Sequence, residues 1–212
     1  MPSLESIRHQ ALREFIAAGH VLEIGSPDAC PLPVHVLARI HSGDVHVIET
    51  HRGGLTAMVY RIRVAGHEYA LKVQRQHALV KNFDGETSFL NELLRRTDIE
   101  QLKTRGAWPA QAAVTPTIYA SSRHGILLTP WIDGGHVENW NSRCLAQVLD
   151  AAAALVEAGF FEWDFSPGNI LDDGKQIWLF DLGYCYRFDP LTQFNTAGNG
   201  TDKPLFHAVE RL

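Results

Sequence analysis

The chain has 212 residues, 45% hydrophobic and 20% charged, enough to bury one sizeable core or two small lobes. Its net charge of -5 and pI near 6.1 give no basis for a nucleic-acid or anionic-membrane partner. Cys30, Cys144 and Cys185 cannot all pair with one another and lack metal-site spacing, which fits reduced thiols in a cytosolic protein.

In chain order, Ser3 opens an apolar helical stripe of Leu4, Ile7, Ala11, Leu12, Phe15 and Ile16 that closes near Gly19. This helix is expected to pack on a small N-terminal lobe. His41, His46 and His51 recur every five residues, a spacing that suits neither one helix face nor one strand face, so they are not read as metal ligands. Gly53 and Gly54 then mark a glycine-bearing turn. Val59–Val64 and Glu68–Val73, joined at Ala65-Gly66, predict an antiparallel hairpin with alternating faces, and Lys72 lies on its second strand. From Asp84 as N-cap, Glu86, Phe89, Leu90, Leu93 and Leu94 follow the spacing of an amphipathic helix. Residues 107–117 are expected to loop over the surface, and Gly125–Pro130 to form a buried strand ending in a turn at Asp133-Gly134-Gly135. A helix over about 142–158 places Leu145, Val148, Leu149, Ala152, Leu155 and Val156 on one face. Asn169–Leu171 and Gln176–Phe180, joined by Asp172-Asp173-Gly174-Lys175, predict a second hairpin that brings Asn169 and Asp181 side by side. Leu191–Lys203 is polar and expected to be mobile, and Pro204–Leu212 is expected to form a short helix. Asn199-Gly200-Thr201 is a glycosylation sequon only in a secretory setting and is given no weight.

The segment Phe161–Gly183, with Asp164 five residues before Asn169 and then Asp181-Leu182-Gly183, resembles the catalytic and magnesium loops of the protein-kinase-like superfamily. Lys72 resembles that family's strand lysine, and the glycine turn, lysine, helix glutamate, hinge and two loops follow in the family's order over about residues 45–190. The resemblance implies an α+β, two-lobed kinase-like fold: an N-lobe antiparallel sheet with its αC helix, and a truncated, mostly helical C-lobe. The boundaries expected are a helical extension at 1–44, an N-lobe at 45–130 and a minimal C-lobe at 131–212. It further implies ATP and Mg2+ as cofactors. Asp164 would be the base that orients an acceptor hydroxyl, and Asn169 and Asp181 would hold magnesium. Lys72 would pair with the α- and β-phosphates and be fixed by an ion pair with Glu86, with Glu92 as the alternative. Gly53 and Gly54 would lie over the phosphates, Val59 and Ala70 would cover adenine, and the hinge would offer the Pro130 C=O and the Ile132 N–H.

Departures from the family shape the functional expectation. Aligned on Val59, the family's three loop glycines fall on Arg52, Gly54 and Ala57, so one of them is kept. Glu162 and Trp163 replace the histidine and arginine before the base, so no switch by activation-loop phosphorylation is expected. Ser166 stands where a lysine is usual, and Leu182 replaces phenylalanine as an apolar plug. The leading expectation is a minimal, atypical Ser/Thr protein kinase of the kind found in bacteria, some of which are delivered into host cells. Alternatives are a small-molecule or glycan kinase of the same fold and a nucleotide-binding scaffold. No apolar run is long enough to cross a bilayer and the first residues lack a signal-peptide core, so the expected location is the cytoplasm. Few residues follow the magnesium loop, so an activating partner, a homo-oligomer or the N-terminal helix is expected to supply apolar cover.

Overall fold

Residues 2–138, 140–197 and 207–211 are described by a computed structural model. The elements begin with α1 (Leu4–Ala17), β1 (Glu23–Gly25), α2 (Val34–Leu37), β2 (Val47–His51), β3 (Ala57–Val64), β4 (His67–Gln74) and α3 (Phe83–Thr104). They continue with β5 (Tyr119–Ser121), β6 (Ile126–Pro130), β7 (Gly135–His136), α4 (Ser142–Glu157), β8 (Phe160–Glu162), β9 (Ile170–Asp172), β10 (Ile177–Leu179) and β11 (Cys185–Arg187). The fold is mixed α/β and divides into two compact units. The first comprises Val21–Thr97 and Thr115–Ile132; the second takes the described residues up to His20, Asp98–Val114 and those from Asp133 on. Residues 21–44 thus belong with the sheet rather than with the N-terminal helix, because β1 pairs with β5 along Glu23↔Ser121 and Gly25↔Tyr119. Among the described residues no helix is long and apolar enough to cross a membrane.

The first unit is built on a 6-stranded sheet in the order β1-β5-β6-β4-β3-β2, antiparallel at every pairing. Its central hairpin has the register Val59↔Lys72 and Arg61↔Ala70, and β6 continues it through Lys72↔Leu127 and Ala70↔Thr129. Since side chains alternate across a strand, Val59, Ala70, Lys72, Leu127 and Thr129 share one face. That face packs on α3, where Phe89 and Leu93 meet Ala57, Ala120 and Leu127. The opposite face buries Tyr60, Ile62, Leu71 and Leu128 under Leu37, Ile40 and the partly buried Cys30, Leu32 and Val34. A short, proline-bearing segment therefore does the work of a second covering helix.

The turn of the hairpin holds Ala65 at φ 50 and Gly66 at φ 83, so both central residues are left-handed. Glycine tolerates that conformation and alanine does not. Ala65→Gly is expected to raise stability by about 1 kcal/mol, read as a higher denaturant midpoint at unchanged slope.

Helix α3 starts earlier than the sequence suggested. The Asn82 side chain accepts from the Gly85 N–H at 2.7 Å, and its carbonyl accepts from Glu86 N–H. Asn82 is thus the cap, and Asp84 lies inside the first turn, where a negative charge complements the helix dipole.

In the second unit, α4 is capped by Asn141, which accepts from Cys144 N–H at 2.9 Å. Val148, Ala151, Ala152 and Leu155 of α4 pack with Phe160, Phe165, Ile170, Ile177, Leu179 and Leu182. Leu145 and Leu149 lie outside this core, each 46% exposed. Helix α1 also belongs here and not on the sheet unit as expected. Ser3 caps it, the Arg8 guanidinium lies 3.7 Å from the Tyr186 ring centre and donates to Thr196 O at 3.2 Å, and Glu5 N–H donates to Ala197 O. These partners lie after Gly183, so the helix is drawn to the C-terminal part of the chain.

In the segment from Leu191, Leu191 is 93% exposed, whereas Asn195 and Thr196 are each 3% exposed. Polar composition misled here because the buried polar atoms have partners, the Trp163 indole N–H donating to Thr196 Oγ1 and Ala197 N–H to Asn195 Oδ1. The Asn199-Gly200-Thr201 triplet and most of the helix expected over Pro204–Leu212 lie outside the described residues; within them a 3-10 turn covers Ala208–Arg211.

Candidate functional site

Two clusters of polar side chains stand out, one in each unit. In the sheet unit, Lys72 Nζ donates to Glu92 Oε2 at 2.6 Å, with side chains 13% and 2% exposed. Desolvating two charges is costly, so a pair this buried calls for a close partner on each side. Glu92 lies between Phe89 and Leu93, which seat α3 on the sheet face that carries Lys72, so the helix delivers the carboxylate to the strand.

The ion pair expected between Lys72 and Glu86 is not formed. Glu86 is exposed and lines an open cavity of about 250 Å³ beside Arg75, His77 and Lys81. The reason is that the buried face of α3 is partly polar: Ser88, Glu92 and Arg96 are each 2% exposed or less. A stripe drawn through apolar residues alone is therefore rotated away from the true buried face and puts Glu86 on it.

The glycine-bearing turn spans the connection between β2 and β3. Arg75 Nε donates to Gly54 O at 3.1 Å and its terminal nitrogen to Arg52 O at 3.4 Å, fastening the turn to the end of β4. A Cβ on Gly54 would stand 2.3 Å from Ala57 O, whereas one on Gly53 would meet nothing within 4 Å. Gly54 is thus required by the turn itself, and Gly53 leaves the backbone open on its outer side. At the end of β6, Trp131 N–H donates to Glu68 O at 3.1 Å, so pairing with β4 runs through Pro130 to the residue before Ile132.

The second cluster sits where two ribbons end. Strands β8 and β11 pair antiparallel through Cys185↔Glu162 and Arg187↔Phe160, and β9 pairs with β10 through Ile170↔Leu179 and Asp172↔Ile177. Asp164 lies just after β8, Asn169 just before β9, and Asp181 just after β10. Since Ile170 faces Leu179, Asn169 and Asp181 leave the same end of the hairpin. The loop bearing Asp164 is fixed through its backbone: Asp164 N–H donates to Glu162 Oε1 at 2.9 Å, Asp164 O accepts from Asn169 Nδ2 at 2.9 Å, and Trp163 N–H donates to Tyr184 O at 3.1 Å. With Nδ2 engaged, the Asn169 amide oxygen points away from that bond and keeps its lone pairs for a hard cation. The Gly183 N–H donates to Asp181 Oδ1 at 3.1 Å, which fixes the carboxylate at the start of its loop. An amide oxygen and a carboxylate at one hairpin end fit magnesium, which takes oxygen ligands. Phe165 and Leu182 are each 1% exposed and anchor the two loops in the core, so Leu182 does pack as an apolar plug. Cys185 is fully buried and is a packing residue rather than a reactive thiol.

At the opposite end of the hairpin, Asp173 ties the β9–β10 turn together. Its carboxyl is held below the usual aspartate range by the Trp178 indole N–H, then by the Gln176 and Lys175 amides. A depressed folded-state value means that this group contributes stability above the unfolded aspartate value near pH 4 and loses it as pH falls through the lower folded value. Asp173→Ala is expected to lower stability at pH 7, by an amount that solvent screening keeps below about 1 kcal/mol, and to converge with wild type in acid, as read from denaturant midpoints across pH.

No family model and no curated protein matches the chain. Among solved structures it is similar to the kinase domain of PknI from Mycobacterium tuberculosis, at 18% identity and a TM-score of 0.40, over 68% of this chain. The chain spans 63% of the length of that kinase domain.

Proposed function

We propose that this chain is an ATP- and magnesium-dependent phosphotransferase of protein-kinase-like fold, acting on serine or threonine hydroxyls of a protein. The observation that carries the reading is the buried Lys72–Glu92 ion pair on the sheet face that also bears Val59 and Ala70. A lysine held by a helix carboxylate on such a face is what phosphate recognition by this fold requires.

In this reading Lys72 binds the α- and β-phosphates, Val59 and Ala70 cover the base, and the Pro130 C=O and Ile132 N–H hydrogen-bond its edge. Gly53 leaves the turn open toward the phosphates, and Gly54 keeps it tight. Asp164 orients the acceptor hydroxyl and accepts its proton as the new O–P bond forms and the bond to the leaving nucleoside diphosphate breaks. Asn169 Oδ1 and the Asp181 carboxylate would hold the metal, which would supply positive charge to the phosphates. Glu92, not Glu86, is the partner of the lysine.

Ser166 favours a second reading. Where protein kinases commonly carry a lysine this chain has a hydroxyl, and its N–H donates to Asp164 O at 2.8 Å. A small-molecule or glycan acceptor fits that less cationic surround. Incubation with γ-labelled ATP and magnesium, supplying protein extract in one arm and sugars and amino alcohols in the other, separates the two. Label on protein supports the first reading and label on a small molecule the second. If wild type binds nucleotide yet transfers nothing in either arm, the chain is a scaffold. Asp181→Ala is expected to lose both transfer and the magnesium dependence of ATP binding, measured by titration with and without the metal.

A further inference from the structure

The two oxygens of Glu92 are divided between two cations. Oε2 takes Lys72 at 2.6 Å, and Oε1 takes the Nε and a terminal nitrogen of Arg96, each at 3.1 Å. Arg96 lies one helical turn after Glu92, with its side chain 1% exposed. Its other edge is held as firmly: it donates to Thr115 O at 2.9 Å, to Thr117 Oγ1 at 3.2 Å and to Thr115 Oγ1 at 3.2 Å. All five residues belong to the sheet unit.

A buried guanidinium is expensive, and an apolar side chain would fill a core position at less cost. What arginine adds is a rigid planar fork that reaches several acceptors at once. Glutamate and lysine each carry several rotatable bonds, so a lone Lys–Glu pair has many geometries. Fixing Oε1 from a clamp anchored on the 115–117 segment leaves Oε2 with one direction. There is also a charge argument. A lysine and a glutamate alone sum to zero, while Lys72, Glu92 and Arg96 together keep one net positive charge, which suits a polyphosphate ligand.

We propose that Arg96 is a positioning residue that aims Lys72, through Glu92, at the phosphates of a nucleoside di- or triphosphate and keeps the cluster cationic. The inference rests on the phosphotransferase reading. Neither Thr115 nor Thr117 touches the ligand; they act by holding Arg96.

The test compares ATP, ADP and adenosine binding by calorimetric titration for wild type, Arg96→Lys and Thr117→Val, with thermal melts of each. Arg96→Lys keeps the charge and loses the fork. It is expected to weaken ATP and ADP about tenfold or more while leaving adenosine unchanged, because only the phosphate contacts depend on the aim of Lys72. Thr117→Val, which preserves every charge and serves if the lysine variant fails to fold, is expected to show a smaller loss in the same direction. A purely structural role would lower stability without changing the ratio of ATP to adenosine affinity. Unchanged ratios in both folded variants, beside a wild type that prefers ATP, overturn the role of Arg96 alone. A wild type that binds ATP no better than adenosine overturns the phosphate reading of Lys72 and the inference with it.

Discussion

Glu92→Ala is expected to cost about 3–5 kcal/mol of stability, because it leaves two buried cations facing a vacated position. Lys72 and Arg96 are both bonded to that carboxylate, and the guanidinium has no route to water at 1% exposure. ATP affinity should fall with it. The matched control is Glu86→Ala, at an exposed position of the same helix, which should move stability by less than about 0.5 kcal/mol. Chemical denaturation with nucleotide titration of both variants decides the matter. Equal losses, or a larger loss at Glu86, would mean that the lysine is fixed by the earlier carboxylate after all.

The second large effect is expected at Asp164. Asp164→Ala should lower the rate of phosphoryl transfer about 10²–10⁴-fold while ATP affinity stays near wild type. Two bonds that hold the loop use the Asp164 backbone, its N–H to Glu162 and its carbonyl to Asn169. Alanine keeps both and removes the carboxylate alone. Asn169→Ala, in contrast, removes a bond of the loop together with a metal-binding oxygen, so its effect mixes folding with chemistry. Transfer at the wild-type rate by Asp164→Ala would remove the base assignment.

How far the sequence could be read depended on whether burial was apolar. The hairpin Val59–Val73 and helix α4 were legible because their buried positions are hydrophobic, a glycine marks the hairpin turn and an asparagine caps the helix. The order of Lys72, Asp164, Asn169 and Asp181 was equally legible, since each lies at the end of, or within, a short strand pair. Glu92 was demoted because its buried neighbours Ser88 and Arg96 leave no trace in a hydrophobic pattern. Arg96 was missed for the same reason, although an arginine one turn after a glutamate is a signal that spacing alone offers. The cover formed by residues 30–40 was missed because proline and irregular backbone break any period, and only the two-sided burial of the sheet shows that something must lie there. The docking of α1 turned on Arg8, whose aromatic and carbonyl partners are invisible to a reading that follows only the apolar stripe.

The docking of α1 also sets a schedule for biosynthesis. Arg8 and its acceptor Thr196 are separated by 188 positions, so α1 lacks this partner until nearly all of the described chain has been made. Contacts this distant along the polymer close slowly, since loop entropy must be overcome first. The sheet unit contains neither of these two residues, so its assembly has no need to wait for them. Helix α1 is therefore among the last of the described elements to settle, and until then its Leu12, 4% exposed in the fold, lacks its cover.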